Sequence, residues 1–509
     1  NAFTRLRGGV VDFGAAGIAD TDAGNVNGIL GGGYATLAGA DWAVNSTGAG
    51  DGPITAYTAY TDIPAGGGTI VDGPTSNVRL TGSTGSGGVH LAAAMTTIQT
   101  LLQNSADGIF LLVIDPAGQT LRLGTNGAVL VPSGKHDLII GDDSGAFPKP
   151  GTLTAGGSDN TAGEIIFTSF GPYIQVGSVI ADNGTGPVSV TVAGSGQVNF
   201  LGGNRTAPNN TYTGTNTIAG GTLSVSSDAC LGASPGVATP GQIVINGGTL
   251  NAGNSFTLDS NRGIFLGSAG ANGYNGGTIS ADSGVTLTYN GIIAGGTANA
   301  SGGFTMTVGP GSLTKTGEGT LILGGANTYA GGTIVNAGIL RVSSDANLGG
   351  VAGCYVPDNL VLNGGTLEAS GTFTLNANRG VRLGPIGGSG SGTVMVDAAQ
   401  LLTFNGQISD NWGGTGSLTK NGDGTLVLGG AVNDYSGNTM VSAGILQVNN
   451  SRSIPNGAGK GNLTVNGTLN LNGVNVALNG LSGSGTVDNI TGTAMTLGVG
   501  NNDQTSSFG

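Results

Sequence analysis

The chain has 509 residues and a formal net charge of −13, with 104 glycines, 38% hydrophobic residues and only 8% charged ones. Its 15 lysines and arginines are scattered from Arg5 to Lys460 with no basic block, which excludes a nucleic-acid partner, and no run of about 18 apolar residues exists to span a membrane as a helix. Glycine at about one residue in five without a Gly-X-Y period excludes collagen, while β-branched strings such as Gln242-Ile243-Val244-Ile245 and Thr320-Leu321-Ile322-Leu323 exclude disorder.

Residues 1–60 carry Trp42 and a Tyr-Thr alternation around Tyr57 and Tyr60, without the pattern that dominates later. They form either a cap over the open end of the repetitive region or degenerate turns of the same architecture. Residues 61–200 read as a degenerate β-helical head. Within it, residues 90–103 (HLAAAMTTIQTLLQ) have the one helix-like composition, but Thr96, Thr97, Ile98 and Thr100 favour strands, so two turns of chain are expected there. From residue 117 onward, strings such as Thr120-Leu121-Arg122-Leu123 resume a rhythm of short strands and Gly-, Asn- or Asp-containing turns.

Residues 201–509 repeat. Ser226-Ser227-Asp228-Ala229 recurs as Ser343-Ser344-Asp345-Ala346, and Asn261-Arg262-Gly263 as Asn378-Arg379-Gly380, both at an offset of 117 (343 − 226). Gly311-Ser312-Leu313-Thr314-Lys315 recurs at Gly416-Ser417-Leu418-Thr419-Lys420, an offset of 105 (416 − 311). Modules are expected over about 201–310, 311–415 and 416–509. Each apolar string is four to six residues long, too short to close a core alone. Coiling the strings into stacked rungs of about 20 residues pairs every interior edge and stacks Ile, Leu and Val into one core. Barrels and sandwiches would need longer alternating strands and do not explain a repeat above 100 residues. The expected fold is therefore all-β, a parallel β-helix or β-solenoid. Cys230 and Cys354 lie 124 residues apart (354 − 230), about six rungs, beyond the reach of a disulfide, and both read as small buried apolar side chains.

Residues 311–342 (GSLTKTGEGTLILGGANTYAGGTIVNAGILRV) resemble the autotransporter-associated β-strand repeat, also called the passenger-associated transport repeat. Residues 416–448 resemble it nearly as well, 196–225 form a degraded copy, and residues 60–204 are similar to the head region of large surface proteins that carry such repeats. The resemblance implies a right-handed parallel β-helix, exported and displayed on the surface of a diderm bacterium. The alternating ten-residue strands of a translocating barrel are absent from this chain. The end at Ser507-Phe508-Gly509 resembles the middle of a module, so the natural polypeptide is expected to continue beyond it.

Candidate chemistry is sparse, and neither catalytic, metal nor cofactor-binding residues are assigned. Asp228 and Asp345 occupy equivalent places in successive modules, as do Glu318 and Asp423, which is the behaviour of turn residues rather than of a catalytic pair. Ser133, His136 and Asp137 form a superficial triad with no nucleophile elbow. His90 reads as packed or as a surface strand residue, and Asp142-Asp143 as a solvated turn. Lys315-Thr316-Gly317 belongs to the repeat, Gly457 to Lys460 lacks the Ser or Thr of a phosphate loop, and sequons such as Asn45 and Asn204 are frequent in any Asn/Thr-rich chain. The expectation is a non-catalytic extracellular β-solenoid of a surface fibre, sheath or layer, self-associating through its terminal rungs, with no cofactor. The alternative is an adhesin whose side binds glycans or host surfaces; it would need an aromatic or charged patch, and with 5% aromatics and Trp42 and Trp412 far apart the sequence favours the structural role. A β-helical polysaccharide-degrading enzyme ranks below both.

Overall fold

A computed structural model describes residues 5, 8–82, 88–106, 110–112, 118–141, 151–171, 173–200, 209–267, 269–270, 273–274, 276–296, 311–351, 353–430, 432–502 and 506–509. Two compact units result, Asn1–Phe265 with Ala298–Thr305, and Leu266–Thr297 with Met306–Gly509. The described residues form strands and short 3-10 turns such as Asp228–Leu231 and Asp345–Leu348, and none of their helices is long and apolar enough to cross a membrane.

In the first unit the chain coils through three faces per turn. One face stacks Asn77–Leu80, Thr100–Gln103, Asn126–Val131, Gly163–Ser169 and Val188–Gly194 in parallel register. The second runs through Val89–Leu91, Leu138–Ile140, Tyr173–Val176, Gln197–Phe200 and Thr222–Val225, and the third through Met95–Thr97, Thr120–Leu123 and Thr152–Ala155. Residues 90–103 are thus strands from two successive turns. Met95–Thr97 ends one turn, and Thr100–Gln103 opens the next. The second unit is a parallel β-helix as well, with ladders such as Leu313–Thr316, Thr333–Val335, Val356–Leu362 and Arg379–Leu383. Among the described residues, parallel register steps run from 17 residues (Thr61 to Val78) to 38 (Ala128 to Ile166), so the 20-residue rung is a lower-end value, and longer loops take up the excess.

Residues 11–56 are not rungs. Ala35–Leu37 and Gly52–Ala56 pair antiparallel with the two ends of Asp41–Asn45, and Ile29, Leu30, Tyr34 and Trp42 pack on Leu102, Ala128, Leu130 and Ile166. The segment therefore lies along an outer sheet face rather than over an open end. This explains why Asn126–Val131 and Gly163–Ser169 are buried on both faces. Arg5 adds a two-pronged salt bridge to Glu164 on that sheet.

Inward Leu, Ile and Val positions stack from turn to turn, as in Leu287, Leu321, Leu340 and Leu367. The corners bury polar groups, and each is satisfied by the same device in successive modules. Lys315 occupies an inward slot between Ile279 and Val335, and its Nζ donates to the carbonyls of Thr316, Gly317 and Ala337 at 2.6, 2.7 and 3.1 Å. Lys420 does the same with Asn421, Gly422 and Ala443. A Cβ on Gly338, at φ +61°, would lie 2.3 Å from the Gly319 carbonyl and 2.8 Å from the Lys315 Nζ, so this corner admits only glycine.

Arg262 and Arg379 are fully buried, and each donates to Asp228 or Asp345 and to backbone carbonyls around the 3-10 turn. Asn210, Asn327 and Asn433 accept from the backbone N–H of Ile180, Ile293 and Ile408 and donate to the carbonyls of Cys230, Asn347 and Ser453. Two residues on, Tyr212, Tyr329 and Tyr435 are buried with their hydroxyls bonded to Asn216, Thr333 and Thr439. These Asn-x-Tyr loops bridge successive rungs.

Asp345→Ala strands the buried Arg379 guanidinium and is expected to cost about 3 kcal/mol or more in urea unfolding, whereas Glu318→Ala, at an exposed turn, stays within about 0.5 kcal/mol. Burial also pushes the Lys315 and Lys420 ammonium groups down to about 8, with Glu318 and Asp423 pulling the other way. A base with a lowered folded value binds fewer protons folded than unfolded, so stability rises between about pH 8 and pH 10. Above about pH 10 the sign reverses, because burial holds Tyr212, Tyr329 and Tyr435 un-ionised only in the folded chain. Urea midpoints should rise from pH 8 to 10, and Lys315→Met with Lys420→Met should flatten that rise; a midpoint already flat in the unaltered chain would contradict it.

Candidate ligand-binding surface

An outward feature of the second unit departs from the repeat. Along Arg379–Leu383, Val381 and Leu383 point inward and Arg382 outward. Its guanidinium lies 4.3 Å from the centroid of the Trp412 ring, in the turn after Ile408–Asp410, and its Nη1 donates to the Asp410 carbonyl at 2.5 Å. Its buried Nε has no hydrogen-bond partner among the described residues. The Gly387 N–H donates to the Trp412 carbonyl at 2.9 Å, which ties this turn to the one before it, where Ile386 is 73% exposed. Trp412 itself is 57% exposed.

At the other end of the same strand lies a recess of about 320 Å³ lined by Tyr355, Ala377, Asn405, Gly406, Gln407 and Val432. Val432 also lines a second recess of about 230 Å³, with Asp434, Arg452, Asn456 and Lys460. Burial raises the Tyr355 phenol above its ordinary range, and the nearby Arg382 opposes the shift. The Lys460 ammonium donates to the Asp434 carbonyl and the Ser436 hydroxyl.

The charge pattern sets this strip apart. Among the described residues, Arg5, Arg79, Arg122, Arg262, Arg341 and Arg379 each form a salt bridge. Arg382 and Arg452, both on the strip, have none. The repeat offers no precedent for the feature: Phe265 stands where Arg382 does, 117 residues earlier (382 − 265), and residues 295–299 (GGTAN) hold no aromatic to match Trp412.

The residues singled out from sequence fall elsewhere. Ser133 and His136 are exposed in a turn, and no hydrogen bond among the described residues joins them to each other or to Asp137, whose carboxylate faces Tyr173 and raises that phenol. His90 is an exposed strand residue. Asp228 and Asp345 hold buried arginines, while Glu318 and Asp423 are exposed, so the two repeated pairs differ in role. Lys315 is committed to backbone carbonyls, and Gly457 to Lys460 to neighbouring rungs. Trp42 is wholly buried and Asn45 is a core residue that donates to the carbonyls of Thr21, Ala23 and Gly50. Asp142, Asp143 and Asn204 lie outside the described residues.

Two features were missed from sequence. Cys354 is exposed, not buried like Cys230, because it sits in the loop before Val356–Leu362 rather than in a corner. Acids are also less isolated than single turn positions imply. Glu368 and Asp397 share Arg341, at 2.6 and 2.8 Å, and burial, with Asp397 beside it, pushes the Glu368 carboxyl up to about 6 against the pull of Arg341. The signal available was the strand register, which sets Arg341 opposite Glu368.

The passenger-associated transport repeat family matches residues 190–225, 313–342 and 418–448. Over 159 residues, 30% of this chain, the sequence is 33% identical to an adhesin BmaC autotransporter from Brucella suis biovar 1 (strain 1330). The match covers 4% of that protein's length, so this chain spans only a small part of the relative. No solved structure matches.

The thiols offer a direct check on these placements. In native buffer a thiol-specific chromophoric reagent should titrate Cys354 and spare Cys230, which becomes reactive only on unfolding. Two reactive thiols in the folded chain would contradict the buried corner at Cys230.

Proposed function

We propose that this chain, which carries the passenger-associated transport repeat of autotransporter proteins, is displayed on a Gram-negative cell surface as a non-catalytic, adhesin-like β-helix. One observation carries the reading. The ionisable groups that repeat from module to module are spent on the helix itself, as Lys315 with Lys420 and Asp228–Arg262 with Asp345–Arg379. The exposed Trp412–Arg382 pair instead lies outside the repeat. A scaffold built of repeated internal devices with an unrepeated outer surface suits presentation to a partner better than turnover of a substrate. The adhesin name of the Brucella relative supports the same direction.

End-to-end association into a fibre ranks second. Among the described residues, Thr61–Ile63 and Gly68–Ile70 each pair with one neighbouring strand, which leaves their other edges open. That edge carries Asp62, ion-paired with Arg79, and Pro64 comes directly after it, and both charge and proline hinder addition of a further strand.

Antibodies raised against residues 311–448 should label intact cells of the source organism, and external protease should remove the label. Labelling only after permeabilisation would overturn the reading.

A further inference from the structure

We propose that the strip from Trp412 through Arg382 to Arg452 binds an acidic oligosaccharide. The proposal rests on the reading of the chain as a displayed, adhesin-like surface and gives that surface a ligand class. Three observations converge on it. The first is the aromatic plane. Among the described residues the large exposed aromatic side chains are Tyr355, Trp412 and Phe508, and the first two lie on either side of Arg382. A guanidinium stacked on one face of the indole fixes its orientation and leaves an apolar plane for the C–H face of a pyranose ring.

The second is charge. In a chain of net charge −13, Arg382 and Arg452 are the arginines without a carboxylate partner among the described residues. Arg382 retains an unpartnered buried Nε, and the Lys460 ammonium is held by a carbonyl and a hydroxyl, not by an acid. Asp434 lines the same recess as Arg452 and Lys460, which leaves that lining one positive charge in excess. Guanidinium groups left unpaired on an acidic protein are suited to two-pronged recognition of a carboxylate or sulfate.

The third is extent. Gln407 lines the recess and Trp412 lies five residues further along the same strand and turn, a separation of at most about 17 Å in extended chain. The shared Val432 then continues the strip to Arg452. That length fits several linked sugars, with the amides of Asn405 and Gln407 beside them.

The test is calorimetric titration of the full chain with an oligogalacturonide tetramer, a heparin-derived tetrasaccharide and a neutral cellotetraose, each also competed with polyglutamate. At least one anionic sugar should bind, more weakly as salt rises, and far better than cellotetraose. Trp412→Ala should weaken that binding by about tenfold or more, and Trp412→Phe should restore most of it. Arg452→Gln should weaken anionic binding with no change in melting temperature, and Arg382→Gln, which also loses the bond to the Asp410 carbonyl, should weaken it while the chain stays folded at the titration temperature. The proposal fails if no anionic sugar binds, if cellotetraose binds equally well, if polyglutamate competes as strongly as the sugar, or if binding ignores all three positions. None of these failures touches surface display, which the labelling of intact cells decides separately.

Discussion

Strands of three or four residues cannot satisfy their own backbone, and the whole structure depends on how that deficit is met. Each strand exposes N–H and C=O groups on both edges, and the remedy is a parallel copy on either side: Leu321 lies between Leu287 and Leu340, and Val129 between Leu101 and Phe167. Once the ladders run from rung to rung, side chains have two destinations. Inward positions stack into a narrow apolar column, and outward ones face water or a packed neighbour. The N-terminal segment is such a neighbour, and its Trp42 and Leu30 convert one outer sheet face into a second core.

The corners carry the opposite constraint. A chain that turns sharply two or three times per rung leaves carbonyl groups facing inward, where no ladder reaches them and where an unpaired polar group costs about 1–3 kcal/mol. Long cationic and amide side chains answer this need. The Lys315 stem fills an apolar slot and its ammonium takes three carbonyls, while Arg379 closes around the 3-10 turn at Asp345–Leu348. Each group stabilises only where its own charge is met, so the lysine accepts a lowered pKa and the arginine requires Asp345. The asparagine of the Asn-x-Tyr loops completes the set by joining the rung below to the loop of the rung above.

Much of this was legible in the sequence because repetition exposes it. The 117-residue offset carries Asp228 to Asp345 and Arg262 to Arg379, and its recurrence marked the acid as a structural turn residue, although its pairing with the arginine needed the fold, since 34 residues separate the two. The parallel β-helix was readable from short strings and their period. Other features were hidden for physical reasons. A repeat unit fixes a strand but not its face: Leu313–Thr316 and its later copy Thr415–Asn421 belong to different sheets of the second unit. The first 60 residues gave no period at all, so their lateral packing could not be separated from a cap or from weak rungs. Cys354 and the Arg341–Glu368–Asp397 cluster depend on loop placement and on register, which composition does not encode.

The Trp412 strip was hidden for a different reason, and that reason bears on how a repetitive chain acquires function. Residues that hold rungs together must recur, because every rung presents the same open carbonyls. A residue that departs from its counterparts escapes that requirement, and a departure that also exposes apolar surface adds nothing to the scaffold. Arg382 replaces a core-type Phe265 equivalent, and Trp412 stands in a turn whose earlier counterpart is small and polar. Both changes fall within one rung step, on one outer face, beside recesses lined by Tyr355 and Arg452. In the scaffold, then, recurrence identifies what the fold consumes, and a clustered break in recurrence identifies what is left over for a partner. Trp42 supports the distinction from the other side: it is equally unrepeated but wholly buried, and it belongs to the packing of the N-terminal segment.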